Sequence, residues 1–593
     1  MRRPPQVTEK TDNVLENWQK LLTYSKRYWV LLIVAIFLSA GGNVLTVLAP
    51  VQLGQMTNVI QEGIESTLNT EAVKTIGFSL VALYGFGGLF NLLQGWIMAS
   101  VTQRISESLR GDISSKINRL PMSYFSQTTV GDTLSRVTND VDTIGRALNM
   151  SVQNLISSAT MLIGSFIMML ITNLTLTLTA VGATAIGLIL MALIMGRSQK
   201  YFVAQQNHLG EINGLIEETY SGHTIVKAYN AERMVRVDFT RMNEDLRSTG
   251  FKAQALSSLM MPIMTFIGNL SYLAVCVVGA VLVLNGSIPF GVIVAFILYV
   301  RYFTQPLSQI AQAFQALQSA AAAGKRVFDM LEAEEMADES YKDKLLSDIK
   351  GEVEFDNVVF SYDDSKEPVI KNFSAKAKPG QKIAIVGHTG AGKTTIVNLL
   401  MRFYEINSGK ITIDGLSIHD LPKDNLRDQF CMVLQDTWVF EGTIRDNLVY
   451  NTDGITEEDL VRATQAVGID HFIQTLPNGY DTYLDEKVSL SQGQKQQLTI
   501  ARAIIADRPM LILDEATSSV DTRTELKIQE AMDLLMEGST TFVIAHRLST
   551  IRNADLILVM EEGDIVESGT HDELISQNGL YEDLYNSQFE QTE

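Results

Sequence analysis

A glycine-rich stretch with one lysine and three threonines lies at Gly387–Thr395. It fits the pattern G-x-x-x-x-G-K-[ST], whose chemistry is phosphate binding. Glycines let the backbone curl so that its N–H groups face the phosphates, and the following helix presents its positive end to them. Lys393 is expected to reach the β- and γ-phosphates, and the Thr394 hydroxyl to bind Mg²⁺. The flanks fit this use, because Lys382–Val386 is typical of a buried strand and Ile396–Tyr404 of a helix.

Two carboxylates follow an apolar run further along the chain. Met510–Leu513 is typical of a buried strand, and Asp514 and Glu515 come directly after it. In an ATPase, a strand of this kind commonly delivers an aspartate to Mg²⁺, and the adjacent glutamate can polarise an attacking water. A second apolar run, Phe542–Ala545, ends at His546, which can donate to a γ-phosphate. The strand-end position favours this role for His546 over a structural one.

Three further features lie around these motifs. Strand-like alternation begins at Glu352 and ends near Tyr362, whose ring either stacks on adenine or is an ordinary core or edge tyrosine. Gln435 and the Leu-Ser-Gln-Gly-Gln sequence at Leu490–Gln494 lie between the phosphate loop and Asp514. Each of these features is weak when taken separately.

Length and composition set the broad class. At 593 residues the chain exceeds one domain, and its formal net charge of −20 argues against nucleic acid as a partner. Apolar runs crowd into residues 29–305, whereas most of the charge lies after residue 325. Cys276 and Cys431 are far apart and indicate neither a disulfide framework nor a metal cluster.

Six segments are long and apolar enough to span a bilayer, which requires about 20 residues each. We place them near 29–49, 76–98, 151–172, 174–195, 259–284 and 288–305. The connections between spans 2 and 3 and between spans 4 and 5 are long, basic and helical in pattern, whereas the loop at 51–75 is acidic. The distribution of lysine and arginine therefore places the long connections and both termini in the cytoplasm. The spans should continue as helices well beyond the membrane.

Each long connection has a break at its far end, at Pro121–Asp132 and at Tyr220–Lys227. Aromatic and aliphatic residues are unusual at a solvent-exposed tip. They favour short helices that dock on another domain, rather than plain hairpin turns.

The predicted spans lack a central ionisable side chain, which argues against an ion pump that works through intramembrane carboxylates. Amides are present instead: Gln305, Gln309 and Gln312 share one helix face. They either line an aqueous cavity or join helices by hydrogen bonds.

The ends of the membrane region are also marked by composition. Residues 1–26 are polar and precede an apolar run without a small-residue cleavage site, which argues against a signal peptide. Apolar residues among basic ones predict a short interfacial helix there, the alternative being a solvated helix that leads into the first span. We therefore predict an interfacial segment at 1–27, a transmembrane domain at 28–324, a charged linker at 325–350 and a nucleotide-binding domain at 351–593.

The order of the motifs along the chain is specific. It runs Tyr362, the phosphate loop, Gln435, Leu-Ser-x-Gly-Gln, Asp514-Glu515, Ser519-Val520-Asp521 and His546. This order resembles the ABC transporter ATPase, and the six preceding spans with two long cytoplasmic loops resemble the ABC exporter half-transporter. The resemblance covers nearly the whole chain. It implies an α-helical membrane domain of the type IV transmembrane fold followed by an α/β P-loop ABC ATPase domain. It also implies a multi-pass protein of the cytoplasmic (inner) membrane whose ATPase domain lies in the cytoplasm.

The resemblance also implies how ATP is bound. Two ATPase domains would pair head to tail, with ATP between the phosphate loop of one and the signature segment of the other. The implied ATP-binding residues are Tyr362 on adenine, Gly387, His388, Thr389, Gly390, Ala391, Gly392, Lys393, Thr394, Thr395 and Gln435. Mg²⁺ would be organised by Thr394, Gln435 and Asp514, with Glu515 as the catalytic carboxylate and His546 as the γ-phosphate sensor. The segments that would face the partner's ATP are the signature, Ser491, Gln492, Gly493 and Gln494, and the D-loop with Ser519 and Asp521. The breaks in the long connections would be coupling helices.

One residue departs from the family pattern. The usual signature is Leu-Ser-Gly-Gly-Gln, but Gln492 replaces the first glycine, and the preceding Leu484–Ser489 lacks the usual glycine-containing run. We expect the glutamine side chain and the lost backbone freedom to disturb the approach to a γ-phosphate. Because Lys393 and Glu515 are intact, the pattern resembles the subunit with the intact Walker B carboxylate in a bacterial heterodimeric multidrug exporter. The implied partner is a second half-transporter with a degenerate Walker B and an intact signature.

Three functions remain in competition. The leading one is a subunit of an ATP-driven exporter that moves amphipathic or hydrophobic compounds. The second is an ATP-gated channel or regulator, which the intact Glu515 disfavours. The third is a homodimeric lipid or peptide exporter or flippase. We expect no peptidase-like domain before the first span, which disfavours a leader-cleaving peptide exporter.

Overall fold

The computed structural model describes residues 14–65, 69–362, 367–435, 437–485, 490–514, 522–545 and 551–589. These residues form two compact units. The first unit contains the described residues up to 118 together with 130–333. The second contains residues 119–129, which we call the first arm tip, and the described residues from 334 onward. The first arm tip therefore groups with the nucleotide-binding half of the chain.

The first unit is helical. The helices up to the linker are α1 (Val14–Tyr24), α2 (Trp29–Glu65), α3 (Thr70–Ile117), α4 (Met122–Gln127, in the first arm tip), α5 (Val130–Ser135), α6 (Val141–Arg146), α7 (Val152–Thr172), α8 (Leu174–Ser221), α9 (His223–Ala228), α10 (Glu232–Ser258), α11 (Met260–Leu284) and α12 (Gly291–Leu331). Wider π-type turns at Arg136–Asp140 and Ala147–Ser151 join α5, α6 and α7 into one continuous run.

Six helical stretches among the described residues are long and apolar enough to cross a membrane. This confirms the six predicted spans. Helices α3 and α8 each contain 48 residues, or about 70 Å, whereas the hydrocarbon core of a bilayer is about 30 Å thick. The predicted turn at Asn173 is confirmed, since its side chain accepts a hydrogen bond from the Leu176 N–H at 3.0 Å and starts α8.

The breaks in the long connections also form as predicted. Helix α4 follows the end of α3, and α9 begins at His223 directly after α8 ends at Ser221. At the other end of the unit, α12 continues to Leu331 and so extends into the segment predicted as a linker. The reason is apolar burial, because Val327 and Met330 are both fully buried in this last stretch of helix.

One of the amides on α12 has a defined partner. The Oε1 atom of Gln309 accepts a hydrogen bond from the Ser158 hydroxyl of α7 at 2.8 Å, although Gln309, like Gln305 and Gln312, is exposed. The helix-joining interpretation therefore holds for Gln309.

Three sheets, two of them large and one two-stranded, form the framework of the second unit. Its strands are β1 (Val353–Phe360), β2 (Ile370–Ala377), β3 (Lys382–Gly387), β4 (Ser408–Ile413), β5 (Leu416–Ser417), β6 (Phe430–Val433), β7 (Gly442–Thr443), β8 (Tyr483–Leu484), β9 (Met510–Asp514), β10 (Thr540–Ile544), β11 (Leu556–Glu561) and β12 (Asp564–Gly569). The larger sheet has the order β12-β11-β3-β10-β9-β6, and the smaller antiparallel sheet has the order β2-β1-β4-β5. Within the larger sheet every pairing is parallel except that of β11 with β12.

Helices cover both faces of the larger sheet. They are α13 (Lys393–Leu400), α14 (Lys423–Arg427), α15 (Ile444–Val449), α16 (Glu457–Ala466), α17 (Asp470–Thr475), α18 (Gln492–Ala506), α19 (Thr522–Met536), α20 (His571–Ser576) and α21 (Leu580–Phe589). Successive residues of a strand point to opposite faces. Accordingly, Ile383 and Ile385 of β3 pack in one core with α13, whereas Ala384 and Val386 pack in the other core with α18.

Candidate functional site

The phosphate loop follows β3 and contains glycines in backbone conformations that other residues rarely adopt. Gly387, Gly390 and Gly392 have φ angles of +152°, +88° and +101°. A Cβ atom on Gly387 would lie 2.2 Å from the Met560 carbonyl oxygen of the neighbouring strand β11, so a larger residue would break the sheet at this point. Residues with positive φ that alternate with residues of negative φ point their backbone N–H groups into one concave loop. This is the geometry of an anion-binding loop. The local backbone fits the phosphate-binding prediction.

Lys393 lies in the first turn of α13, directly after this loop. Its side chain is buried, and Nζ donates to the carbonyl oxygens of Gly387 at 2.6 Å and His388 at 3.0 Å. Burial lowers the pKa of the Lys393 ammonium, and the negative charge of Asp514 opposes that shift. The cation at the loop and the carboxylate at the end of β9 therefore interact electrostatically within one site.

Helix α13 differs from the predicted range Ile396–Tyr404. It begins earlier, because the chain turns into helical conformation immediately after Gly392, which has left-handed geometry. It ends earlier because Arg402 adopts a φ of +48°. The Arg427 side chain donates to the carbonyl oxygens of Met401 and Arg402, both at 3.2 Å, and a cation at this end of a helix is stabilising.

Two threonines follow the lysine and have different environments. Thr394 is exposed on the first turn of α13, where its hydroxyl is available to a metal ion, whereas Thr395 is buried. The Tyr362 and Thr395 hydroxyls are 2.9 Å apart. The Tyr362 ring meets Phe360 and Tyr404 edge to face at centroid distances of 4.9 and 5.0 Å, yet the residue remains 39% exposed. Adenine stacking by Tyr362 stays a prediction.

The register of the parallel sheet brings the remaining motifs to one edge. Asp514 of β9 pairs with Ile544 of β10, which in turn pairs with Ile385 of β3. On the other side, Leu513 pairs with Val433 of β6, and Gln435 is exposed just beyond that strand. Ligands of open α/β sheets bind at this carboxyl edge. Asp514 and the phosphate loop therefore lie where the prediction placed them, and the segment with Gln435 leaves the sheet at the same edge.

Four predicted residues lie outside the described residues: Glu515, Ser519, Asp521 and His546. Glu515 comes directly after the end of β9 in the sequence, and His546 follows Ala545, close after β10. Their roles stay predictions.

The signature segment starts α18. The Ser491 hydroxyl accepts from the Gln494 backbone N–H at 3.2 Å, and the Ser491 backbone N–H donates to the Gln494 side chain at 2.8 Å. This reciprocal pair is a capping box, which satisfies two N–H groups at the start of the helix. Gly493 is buried on the second residue of the helix.

The prediction that Gln492 costs backbone freedom is wrong. Gln492 is the first residue of α18 and is absent from the residues with positive φ, so a glycine is not required here for conformational reasons. Its exposed side chain donates from Nε2 to the Thr437 hydroxyl at 3.3 Å. The difference from the family pattern at this position is therefore an added side chain rather than an altered backbone. Residues 486–489 of the preceding run lie outside the described part of the chain.

The phosphate loop and the signature lie on opposite faces of the larger sheet, because α13 and α18 pack in different cores. The two segments therefore belong to different layers of the domain. That the signature completes an ATP site on a second ATPase domain stays a prediction.

Comparison with known proteins identifies the family. The family model "ABC transporter transmembrane region" matches residues 32–307, and the model "ABC transporter" matches residues 370–518. A fatty acid ABC transporter ATP-binding/permease protein of Mycobacterium tuberculosis is 45% identical, over 86% of this chain and 80% of its own length. The chain belongs to the ABC transporter family. As an ABC transporter it has the architecture of an exporter half-transporter, and its activity is ATP hydrolysis coupled to transport.

Two other ABC transporters show how broad the similarity is. An ATP-dependent lipid A-core flippase of Syntrophus aciditrophicus is 35% identical over 88% of this chain and 87% of its own length. A probable multidrug resistance ABC transporter of Bacillus subtilis is 36% identical over 86% of this chain and 76% of its own length. A half-transporter in this family functions as a dimer within the membrane, and this ABC transporter is a multi-pass membrane protein.

Sequence analysis missed the contacts that hold the site in place. The Met560 carbonyl beside Gly387, the Thr437 hydroxyl beside Gln492 and the Arg427 guanidinium at the end of α13 all come from segments distant in sequence. They carry no recognisable motif, since they are fixed by sheet register and packing.

Proposed function

We propose that this chain is one subunit of a heterodimeric multidrug-type exporter in the cytoplasmic membrane, with its ATPase domain and both termini in the cytoplasm. It would move amphipathic or hydrophobic compounds outward by alternating access. The observation that supports the heterodimer is Gln492, whose exposed side chain lies on the first residue of α18, the helix that would face the partner's ATP. The partner would be a second half-transporter with an intact signature and a degenerate Walker B.

The roles of the residues follow from their positions. Lys393 and the inward N–H groups of the phosphate loop bind and orient the β- and γ-phosphates. Thr394, Asp514 and Gln435 would hold Mg²⁺, which when bound neutralises charge on the phosphates. Glu515, next after Asp514 in the sequence, would orient and deprotonate the attacking water, and His546 would hold the γ-phosphate.

The cargo class rests on the membrane region. The spans expose many large apolar side chains, and the polar groups that we single out in the membrane region are amides and hydroxyls, such as the Gln309–Ser158 pair. A binding site built from these apolar, amide and hydroxyl groups would suit loosely bound amphipathic compounds rather than small, highly charged solutes.

A second candidate is a homodimeric lipid or peptide exporter or flippase. It is favoured by the names of two relatives, a fatty acid transporter at 45% identity and a lipid A-core flippase at 35% identity. In that case two identical copies would form two equivalent ATP sites, each with one altered signature.

Paired substitutions separate the two assemblies. In the heterodimer, Glu515→Gln should abolish the main hydrolytic site, whereas Ser491→Ala should cost less because it affects only the degenerate site of the partner. Ser491 also caps α18, and loss of a cap costs about 1 kcal/mol of stability. Thr456→Ala is the matched control, since Thr456 caps α16 with the same capping box away from the signature.

ATPase activity of the three variants is measured with and without the half-transporter encoded beside this chain. The heterodimer predicts activity only with the partner and a milder loss for Ser491→Ala than for Glu515→Gln. Equal, near-complete losses for both, or full activity of this chain alone, would reject the heterodimer and favour the homodimeric candidate. Restoring the signature with Gln492→Gly should leave the main site within about twofold of its original rate, because in the heterodimer that site uses the partner's signature and an exposed substitution changes stability little.

A further inference from the structure

The chain between α12 and β1 is fixed to the ATPase unit by a series of specific contacts. We call residues 335–346 the strap. Near its end, the Leu346 N–H donates to the Asn425 side chain at 2.7 Å, and the Leu346 side chain is buried in the core with α13. An ion pair between Lys344 and Asp420, at 2.6 Å, lies on its exposed side. The strap therefore packs along the segment that contains the 3₁₀ turn Ile418–Asp420 and helix α14.

The centre of the strap is a buried carboxylate. The Glu339 side chain is 10% exposed and accepts from Arg402 Nη2 at 2.7 Å and Lys342 Nζ at 2.9 Å. Its second oxygen accepts from the Lys423 backbone N–H, which begins α14, at 2.8 Å. Burial by itself would raise the pKa of Glu339, but the donated hydrogen bonds of Lys342 and Arg402 lower it to about 2.

Arg402 is the partner that links the strap to the ATP site. It follows the end of α13, the helix that begins with Lys393. A guanidinium has five N–H donors, and each is used here. The acceptors are Glu339, Glu405 (twice) and the carbonyl oxygens of Ile418 and Leu421. Since Arg402 is only 4% exposed, a rigid-body shift of α13 cannot occur without moving or breaking these contacts.

The start of the strap is bound to the first arm tip. The Met336 backbone N–H donates to the Arg119 carbonyl oxygen at 2.9 Å. The Arg119 guanidinium also lies 3.8 Å from the Glu335 carboxylate. Arg119 precedes α4 by only a short turn through Pro121. One short segment thus joins the base of α4 to the far end of the phosphate-loop helix, all within the second unit.

We propose that the strap couples the nucleotide site to the first arm tip, with Glu339 and Arg402 as the positioning residues that make this coupling. When ATP binding displaces α13, the Glu339–Arg402 pair moves the strap, and the Met336–Arg119 bond moves the base of α4. A buried ion pair suits this role, because removing one partner strands a buried charge and so resists partial separation. Neither residue is among the predicted nucleotide-binding residues, so ATP hydrolysis itself does not require this connection.

Hydrogen exchange of the full-length protein in lipid nanodiscs, with its partner subunit present, tests the coupling. Exchange is compared with and without Mg²⁺ and the non-hydrolysable analogue adenylyl imidodiphosphate. In the unmodified protein we expect the nucleotide to change exchange both in residues 393–401 and in residues 119–127. In Glu339→Gln the change at 393–401 should persist, while the change at 119–127 should fall at least twofold.

The matched control is Asp420→Asn, which makes the same carboxylate-to-amide change at another ion pair of the strap. Asp420 and Lys344 are about half exposed, so this variant should behave as the unmodified protein. Arg402→Met should reproduce the Glu339→Gln result, and the double variant should lose no more than either single one. An equal response at 119–127 in Glu339→Gln and Asp420→Asn would overturn the coupling.

The unmodified protein tests the coupling even if the variants fold poorly. The nucleotide should alter exchange of the strap, residues 335–346, together with that of α13. A response in α13 with none in the strap or the arm tip would also overturn the inference. A protein that shows no response at 393–401 would contradict nucleotide binding itself, and with it the basis for coupling.

Discussion

The hydroxyl of Tyr362 lies 2.9 Å from the hydroxyl of Thr395, so the aromatic residue after β1 is joined directly to the helix that follows the phosphate loop. The ring is packed edge to face yet 39% exposed. This arrangement leaves ring surface for an adenine while fixing the ring relative to the phosphate site.

If adenine stacks on Tyr362, the ring matters more than the hydroxyl. Stacking of a base on an aromatic side chain contributes about 1–3 kcal/mol, so Tyr362→Ala should raise the Kd for ATP by about 5-fold or more. Tyr362→Phe keeps the ring and should stay within about 3-fold. Displacement of a fluorescent nucleotide measures both. If Tyr362 is only an edge residue of the sheet, the two variants will bind ATP with the same affinity as the unmodified protein.

Lys393→Ala should weaken nucleotide binding itself. A hydrogen bond to a charged group contributes about 1.5–3 kcal/mol, so the Kd for ATP should rise about 10-fold or more. Lys382→Ala is the matched control, because Lys382 begins β3, the strand that leads into the phosphate loop, at the opposite edge of the sheet. Unchanged ATP affinity in Lys393→Ala, measured by the same displacement assay, would remove Lys393 from the phosphate site.

The carboxylate of Glu339 predicts a specific pH dependence of stability. Its pKa is lowered from the usual 4.5 to about 2 in the folded protein, so the folded state is stabilised above about pH 4.5 and loses this contribution as the pH falls towards 2. Thermal unfolding of the full chain is compared with that of Glu339→Gln. We expect the difference in midpoint to be constant from pH 7 to 5 and to shrink below pH 4.5. A difference that does not change with pH would show that the charge of Glu339 does not stabilise the fold.

Some parts of the fold and of the candidate site could be predicted from the sequence, and others could not. Lys393 and Asp514 could be placed because each follows a short apolar strand, and parallel strands deliver their carboxyl ends to one edge. The prediction for Gln492 failed in part, because the glycine pattern suggested unusual backbone where the chain is an ordinary helix start. Arg402 and Glu339 could not be paired from sequence, since their contact depends on how the strap folds back over α13. Local patterns predict the motifs, whereas tertiary packing determines what holds them.

We propose that hydrolysis at the Lys393–Asp514–Glu515 site drives outward movement of amphipathic compounds. The most direct test of this proposal is ATP-dependent transfer of a fluorescent NBD-labelled phospholipid in proteoliposomes that contain the full-length protein and its partner. We expect transfer to require Mg²⁺-ATP, and Glu515→Gln to slow both ATP hydrolysis and transfer by about 10²- to 10⁴-fold while ATP binding persists. The control Glu530→Gln, an exposed glutamate on α19, should transport normally. Transfer that continues at the unmodified rate in Glu515→Gln, or that needs no ATP, would contradict the account.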